Sequence, residues 1–260
     1  MSPAVLIVID GLRPEAIEAD ECPNLRALCA RGACSLRASS VMPAVSLPCH
    51  VSMFYSVAPG QHGVLTNNWM APTQPLSGLM EVGRAAGLKT AAVYNWEPLR
   101  DLSRPNSLAF SYFRDSLSAP DGDQVIADEA SRYILTDRPD LLFVYFGTMD
   151  VAGHDHGFMS GRYLDQLERV DHSLGTLLLS LTPSTTVLTL ADHGGHEHTH
   201  GTDCPEDLTI PWILAGPAIR SGYLIAGQVS LMDTAPTLAR VLGLQPDPGW
   251  EGVCVDEAFI

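Results

Sequence analysis

The amino-acid sequence predicts a three-layer α/β fold, in which a mostly parallel central sheet is covered by helices on both faces. Three observations predict it. Five short apolar runs, VLIVID (5–10), TAAVYN (90–95), LLFVYF (141–146), TVLTLA (186–191) and IPWILA (210–215), are rich in Val, Ile and Leu and lack polar alternation, as strands buried on both faces do. Amphipathic stretches at 77–86, 122–136, 161–181 and 233–242 lie between them, in the order that builds helices against a parallel sheet. No repeat, low-complexity tract or polar linker divides the 260 residues, so 1–260 reads as one domain large enough for a sizeable core.

Taken in order, VLIVID is the first strand, and Asp10 closes it. The segment PAVSLPCHVSMF (43–54) starts a helix: Pro48 suits a first turn, and Ser46 precedes it at the N-terminal end. The stretch 77–86 is a helix leading into the strand at 90–95. Residues 97–121 hold three prolines and little periodicity, and are expected to run as an excursion over the top of the sheet. A helix over 122–136 then leads to the strand at 141–146, and one over 161–181 to the strand at 186–191. The strand at 210–215 is followed by a helix at 233–242. The turn-rich tail at 244–253 is expected on the surface.

Composition narrows the function. Acidic residues number 30 against 15 basic, a formal charge of −15, and such a surface repels a nucleic-acid polymer. The apolar runs are far shorter than a membrane span, and the start lacks the basic segment of a signal peptide. A cytoplasmic, non-membrane protein is therefore expected. The six cysteines contain no CxxC pair, and reduced thiols fit that location.

The chemistry collects at strand ends. Asp10 closes VLIVID, Asp150 follows LLFVYFGTM, and Asp192-His193 closes TVLTLAD. In a parallel sheet these ends share one edge, the edge at which such folds bind ligands. Each aspartate alone reads as a helix cap, but three on one edge would repel one another unless cations sat among them. His154 stands four residues after Asp150, and His196, His198 and His200 trail His193. This oxygen and nitrogen donor set suits zinc or another first-row divalent ion better than calcium or magnesium. Ser46 reads either as a plain N-cap or as a nucleophile held where a helix N-terminus favours an anion.

The ordered set VLIVIDGLRP (5–14), SLPCH (46–50), PGQHGV (59–64), DVAGHDHG (150–157), ADHGGH (191–196), THG (199–201) and MDTAPTLARVLGL (232–244) resembles the alkaline phosphatase superfamily, and within it the type I phosphodiesterase/nucleotide pyrophosphatase branch. The resemblance spans nearly the whole chain. It implies an alkaline phosphatase-like catalytic domain, with a length that leaves no room for a large cap domain, and two divalent ions, zinc or else manganese. One ion would be held by Asp10, Asp192, His193 and the Ser46 oxygen, the other by Asp150, His154 and His200, with His196 and His198 as rivals to His200. Ser46 would be the nucleophile and pass through a phosphoseryl intermediate. Asn67, 21 residues on, would grip a phosphoryl oxygen together with the backbone N–H of Leu47, with Asn68 as its rival and Thr66 as a further contributor. The expected substrate is a small-molecule phosphate ester, with the oligomeric state left open.

The sequence departs from the branch in places. Serine stands where the branch usually carries threonine, which leaves a phosphonate hydrolase or phosphomonoesterase as the second reading. A phosphosugar mutase and a non-catalytic metal-binding protein are more distant ones. No Cys-x-Pro-x-Arg occurs, which argues against a formylglycine sulfatase. Cys49 reads as a small packed residue, and Trp69, Tyr94 and Trp96 as core aromatics that could stack on a leaving group. Glu206 and Asp207 read as loop solvation or helix capping. Arg100, Arg104 and Arg114 form the only basic cluster placed to hold a second anionic group.

Overall fold

The computed structural model describes residues 2–19, 22–71 and 76–260. Eight strands, β1 (Ala4–Ile9), β2 (Ala33–Ser39), β3 (Thr90–Tyr94), β4 (Phe110–Phe113), β5 (Leu141–Phe146), β6 (Thr186–Leu190), β7 (Thr209–Ala215) and β8 (Tyr223–Leu224), form one sheet. Its order is β4-β3-β5-β1-β6-β7-β2-β8. The first five strands of that order pair in parallel. β7 is antiparallel to both neighbours, and β8 is parallel to β2.

The chain also forms the helices α1 (Pro14–Ala19), α2 (Pro23–Arg31), α3 (Ser46–Tyr55), α4 (Pro59–His62) and α5 (Leu79–Ala85). They are followed by α6 (Gly122–Asp137), α7 (Thr148–His156), α8 (Gly161–Leu179), α9 (Pro205–Leu208) and α10 (Thr234–Val241). One group packs around α8, against which α2, α6 and α7 lie; α3, α5 and α10 pack on one another in a second group. The sheet is sandwiched between them. Helix α8 starts where it does because the Ser160 hydroxyl accepts the Tyr163 N–H at 3.3 Å, supplying a partner to a first-turn donor.

All five predicted strands form, and every residue of β1, β3, β5 and β6 is buried. The sheet is mostly parallel, as its long buried runs require. The stretch 97–121 is more regular than expected: a 3₁₀ turn at Glu97–Asp101 leads to β4, which adds to the sheet edge beside β3. Its aromatic sequence FSYF is only partly covered, so no continuous apolar run marks it. β2 mixes buried Ser35 with exposed Arg37 and gains its extended form from pairing with β7.

Two features of this layout position the chemistry. β5, β1 and β6 are immediate neighbours running the same way, so their carboxyl ends open on one edge. All ten residues of α3 are buried, which fixes its N-terminus against that edge.

Candidate active site

Asp10 follows β1, its N–H bonded to the Phe146 carbonyl at 2.9 Å. One carboxylate oxygen accepts the buried Tyr145 hydroxyl, and the other lies 3.2 Å from His193 Nε2. The chain then turns at Gly11, whose φ of +69° suits glycine. A Cβ there would come within 3.1 Å of the Asp150 Cα and of its carboxylate. The Gly11 N–H points at the third carboxylate, 3.4 Å from Asp192 Oδ1. One small residue thus lets all three acids converge.

The histidines are oriented through their Nδ1 atoms. His193 Nδ1 lies 2.8 Å from the Gly194 carbonyl, His154 Nδ1 2.8 Å from that of His198, and His200 Nδ1 2.8 Å from that of Ala44. Each bond fixes a tautomer and turns Nε2 inward, the arrangement that suits metal-ligating imidazoles. His154 Nε2 then stands 3.4 Å from Asp150 Oδ2, and His200 Nε2 stands 3.7 Å from Asp150 Oδ1 and 3.1 Å from His154 Nε2. His193 Nε2 faces Asp10, Asp192 Oδ2 at 3.5 Å and Ser46 Oγ at 3.2 Å. Among the described residues three sets of donor atoms lie close enough to share an ion: Asp150, His154 and His200; Asp10, Asp150 and His193; and, on the loop beyond, His196, Cys204 and Asp207. His200, rather than His196 or His198, stands in the first set. Asp192 borders the second.

The electrostatics mark the crowding. Burial, then the charge of Asp10, pushes Asp150 up to about 7. The same two causes raise Asp192 well above the carboxylate range. Asp10 is held low despite its burial, because His193, His50 and the Tyr145 hydroxyl favour its anion. Burial opposes charge on His193, but Asp192, Asp10 and Asp150 outweigh it and lift the imidazole to about 9. His200 is pressed down to about 4 by burial and by His193. Asp10 Oδ1, Asp150 Oδ1 and Asp192 Oδ2 are buried and accept no hydrogen bond. Buried lone pairs cost free energy unless matched by donors or cations, so this donor set fits divalent ions.

Ser46 opens α3, with Val45 as the capping residue in extended conformation. Ser46 is therefore not the N-cap, and its hydroxyl is directed at His193. Its carbonyl meets His50 Nδ1 at 2.7 Å; burial holds His50 neutral, at about 4. The Leu47 N–H donates to Asn67 Oδ1 at 3.0 Å, so Asn67, rather than Asn68, stands beside the helix N-terminus. Thr66 shapes that loop by accepting the Asn68 N–H at 3.2 Å.

Some sequence readings need correction. Asp207 neither solvates a loop nor caps a helix: it is fully buried. It lies 2.7 Å from His196 Nδ1 and accepts both the N–H and the hydroxyl of Thr202 at 2.8 Å. An acidic pair on a polar loop gives no sign of this inward turn. The basic cluster does not converge either. Arg100 pairs with Glu97 at 2.6 Å, and Arg104 donates to the Leu76 carbonyl. Trp96 stacks on Tyr145, and Cys49 is a packed residue whose thiol burial pushes up. Sequence reasoning passed over His50 and Tyr145 because each lies in an apolar segment, and Asp123 because the polar stretch at 120–124 reads as solvated. It also passed over Phe158, against which a Cβ on Gly153 or Gly195 would collide.

The profile of the type I phosphodiesterase / nucleotide pyrophosphatase family matches residues 4–209. The chain belongs to this family. Among its relatives, venom phosphodiesterase 2 of Crotalus adamanteus is 26% identical over 223 residues, 75% of this chain and 27% of the relative. Phosphopentomutase of Herpetosiphon aurantiacus is 31% identical over 114 residues, 44% of this chain and 28% of the relative. The chain thus spans about a quarter of the length of the curated relatives it matches. Among solved structures, human ectonucleotide pyrophosphatase/phosphodiesterase 5 superposes with a TM-score of 0.83 at 13% identity, covering 100% of both chains. The phosphonate monoester hydrolase of Agrobacterium radiobacter gives 0.82 at 14%, covering 99% of this chain and 77% of the other. An inactive form of the murine pyrophosphatase/phosphodiesterase 5, solved with AMP, gives 0.80 at 14%, covering 95% and 96%. The fold of the phosphodiesterase family member described here is that of the alkaline phosphatase superfamily.

Proposed function

We propose that this protein is a metal-dependent phosphoric-ester hydrolase that cleaves small-molecule phosphodiesters or pyrophosphates, with Ser46 as its nucleophile. The observation that carries the reading is the placement of Ser46 Oγ at the start of α3, 3.2 Å from His193 Nε2 and facing the three converging carboxylates. Asp10, Asp192 and His193 would hold one divalent ion beside Ser46, and Asp150, His154 and His200 a second, zinc or else manganese. When bound, such ions supply the positive charge that favours the serine alkoxide and stabilises the entering and leaving oxygens.

The chain's own groups do the rest. Ser46 Oγ attacks phosphorus in line, forming the Oγ–P bond as the bond to the leaving oxygen breaks; the serine proton passes to solvent. The Leu47 N–H, which donates to Asn67 Oδ1 without substrate, would turn to a phosphoryl oxygen together with the Asn67 amide N–H, and the α3 N-terminus favours its charge. Water then cleaves the phosphoseryl ester and restores the hydroxyl. A diester is favoured over a monoester because spare basic side chains are scarce: Arg13, which reaches the Gly195 carbonyl, is paired with Glu15 at 2.8 Å. The reading includes a cytoplasmic location, supported by Cys29, Cys34, Cys49, Cys204 and Cys254 being free thiols. No helix among the described residues is long and apolar enough to cross a membrane.

The test is hydrolysis of bis-p-nitrophenyl phosphate against p-nitrophenyl phosphate, with zinc and manganese supplied separately. Faster diester turnover is expected, falling by roughly 10³-fold or more in Ser46→Ala. Monoester preference would move the assignment to a phosphatase, and activity indifferent to Ser46→Ala would overturn the nucleophile.

A further inference from the structure

Helix α7 carries Asp150 and His154 four residues apart, on one face. Its own sequence gives it no side-chain cap, since Gly147 occupies the N-cap position, and the first N–H groups of a helix need partners from elsewhere. They find one in α6. The Asp123 carboxylate, 1% exposed, accepts the Gly147 N–H at 3.0 Å on Oδ1. Its Oδ2 accepts the Thr148 N–H at 3.3 Å and the Thr148 hydroxyl at 2.5 Å. Asn95 Nδ2, just beyond β3, donates to Oδ1 at 2.7 Å. The Thr148 oxygen in turn accepts Gln166 Nε2 of α8 at 2.7 Å. One carboxylate therefore ties together the ends of β3 and β5, the first turns of α6 and α7, and, through Thr148, α8.

We propose that Asp123 is a positioning residue that caps α7 from another helix and so sets where Asp150 and His154 stand in the metal site. The inference rests on the two-ion reading above. Asp123 contacts neither substrate nor any proposed ligand atom; it acts through Gly147 and Thr148, two to three residues before Asp150. Only a carboxylate meets the demand, because all four partners donate and both of its oxygens accept. An amide of the same shape has one accepting oxygen and turns its NH₂ against other donors. The arrangement also explains a buried acid in the first turn of α6 that pairs with no cation.

The test is zinc affinity measured by chelator competition on the full chain, wild type against Asp123→Asn. The expected result is two zinc ions on the wild type, with the variant binding one of them roughly 10–100-fold more weakly and the other as before. The weakened site should be the one that His154→Ala removes. Amide exchange without metal gives a second readout: protection at Thr148–Asp150 should fall in the variant while β1 keeps its own. Should Asp123→Asn fail to fold, Thr148→Val, which removes the hydroxyl alone, should weaken the same site by a smaller factor. Two ions bound at wild-type affinity by either folded variant would overturn the positioning role, as would equal weakening of both sites. A wild type that takes up no zinc or manganese would instead overturn the two-ion reading itself, and the positioning role with it.

Discussion

His154 and His198 exchange hydrogen bonds: each Nδ1 lies 2.8 Å from the other's backbone carbonyl. The exchange clasps the last turn of α7 to the loop that bears His200. His198 Nε2 lies beside Gly157, whereas His200 turns Nε2 toward Asp150. His200→Ala is expected to abolish binding at the Asp150 site. His198→Ala leaves its carbonyl in place and should weaken that site by only about tenfold, as loss of an outer support does. Zinc stoichiometry at limiting free metal distinguishes the two, and equal losses would contradict this division of roles.

Asp207 closes the same loop from below. Asp207→Ala would take the acceptor from the donors of His196 and Thr202 that now converge on it. A loss of about 1–2 kcal/mol in urea denaturation is expected, since hydrogen bonds to a charged group are lost while the half-buried His196 and the exposed Thr202 regain water. A change under 0.5 kcal/mol would show that the loop finds other partners.

Gly11 should tolerate no side chain. Gly11→Ala meets both the left-handed backbone penalty of about 1–2 kcal/mol and the 3.1 Å approach to the Asp150 backbone. The variant is expected to lose at least that stability in thermal unfolding and to bind zinc more weakly. Unchanged stability and affinity would mean that the turn can relax away from Asp150.

Asp123 carries a pH signature. Burial raises its carboxyl to about 6 against the opposing hydrogen bonds of Thr148, Asn95 and Gly147. A raised carboxyl binds its proton more tightly in the folded chain than in the unfolded one. Its contribution is therefore fully present below pH 3.8 and is lost as pH rises through about 6. Two pH units correspond to about 3 kcal/mol at most. Stability of metal-free wild type relative to Asp123→Asn should rise on moving from pH 7 to pH 4.5, read by urea denaturation. A difference flat with pH would place the carboxyl in its ordinary range.

The five apolar runs announced their strands because burial on both faces writes itself into consecutive residues. β4 and β2 carried no such mark: one is a half-covered edge, and the other mixes Ser35 and Arg37 into a strand that β7 organises. At the site, Asp10, Asp150, His154, Asp192 and His193 were legible because acids and imidazoles at strand ends stand out against apolar neighbours. His50 and Tyr145 were not, since a polar atom on the inner face of a buried helix or strand looks like core until its partner is seen. Asp123 and Asp207 depend on contacts brought about by tertiary folding. Nothing in the local sequence of GDQV or PEDL distinguishes a carboxylate turned inward from one left in solvent.

The adjacency of β5, β1 and β6 has a consequence for tolerance to change. Neighbouring strands are held about 4.8 Å apart by their backbone hydrogen bonds, and Asp10 and Asp192 follow the ends of two such neighbours, β1 and β6, by one or two residues. The separation of Asp10 from Asp192 is thus inherited from the peptide ladder, which every sequence builds alike, whereas Asp150 takes its place from α7 and the groups that cap it. The loops beyond can lengthen, shorten or exchange residues while that ruler stays fixed. Divergence in such a protein should therefore fall on what the site receives, and spare the spacing with which it works.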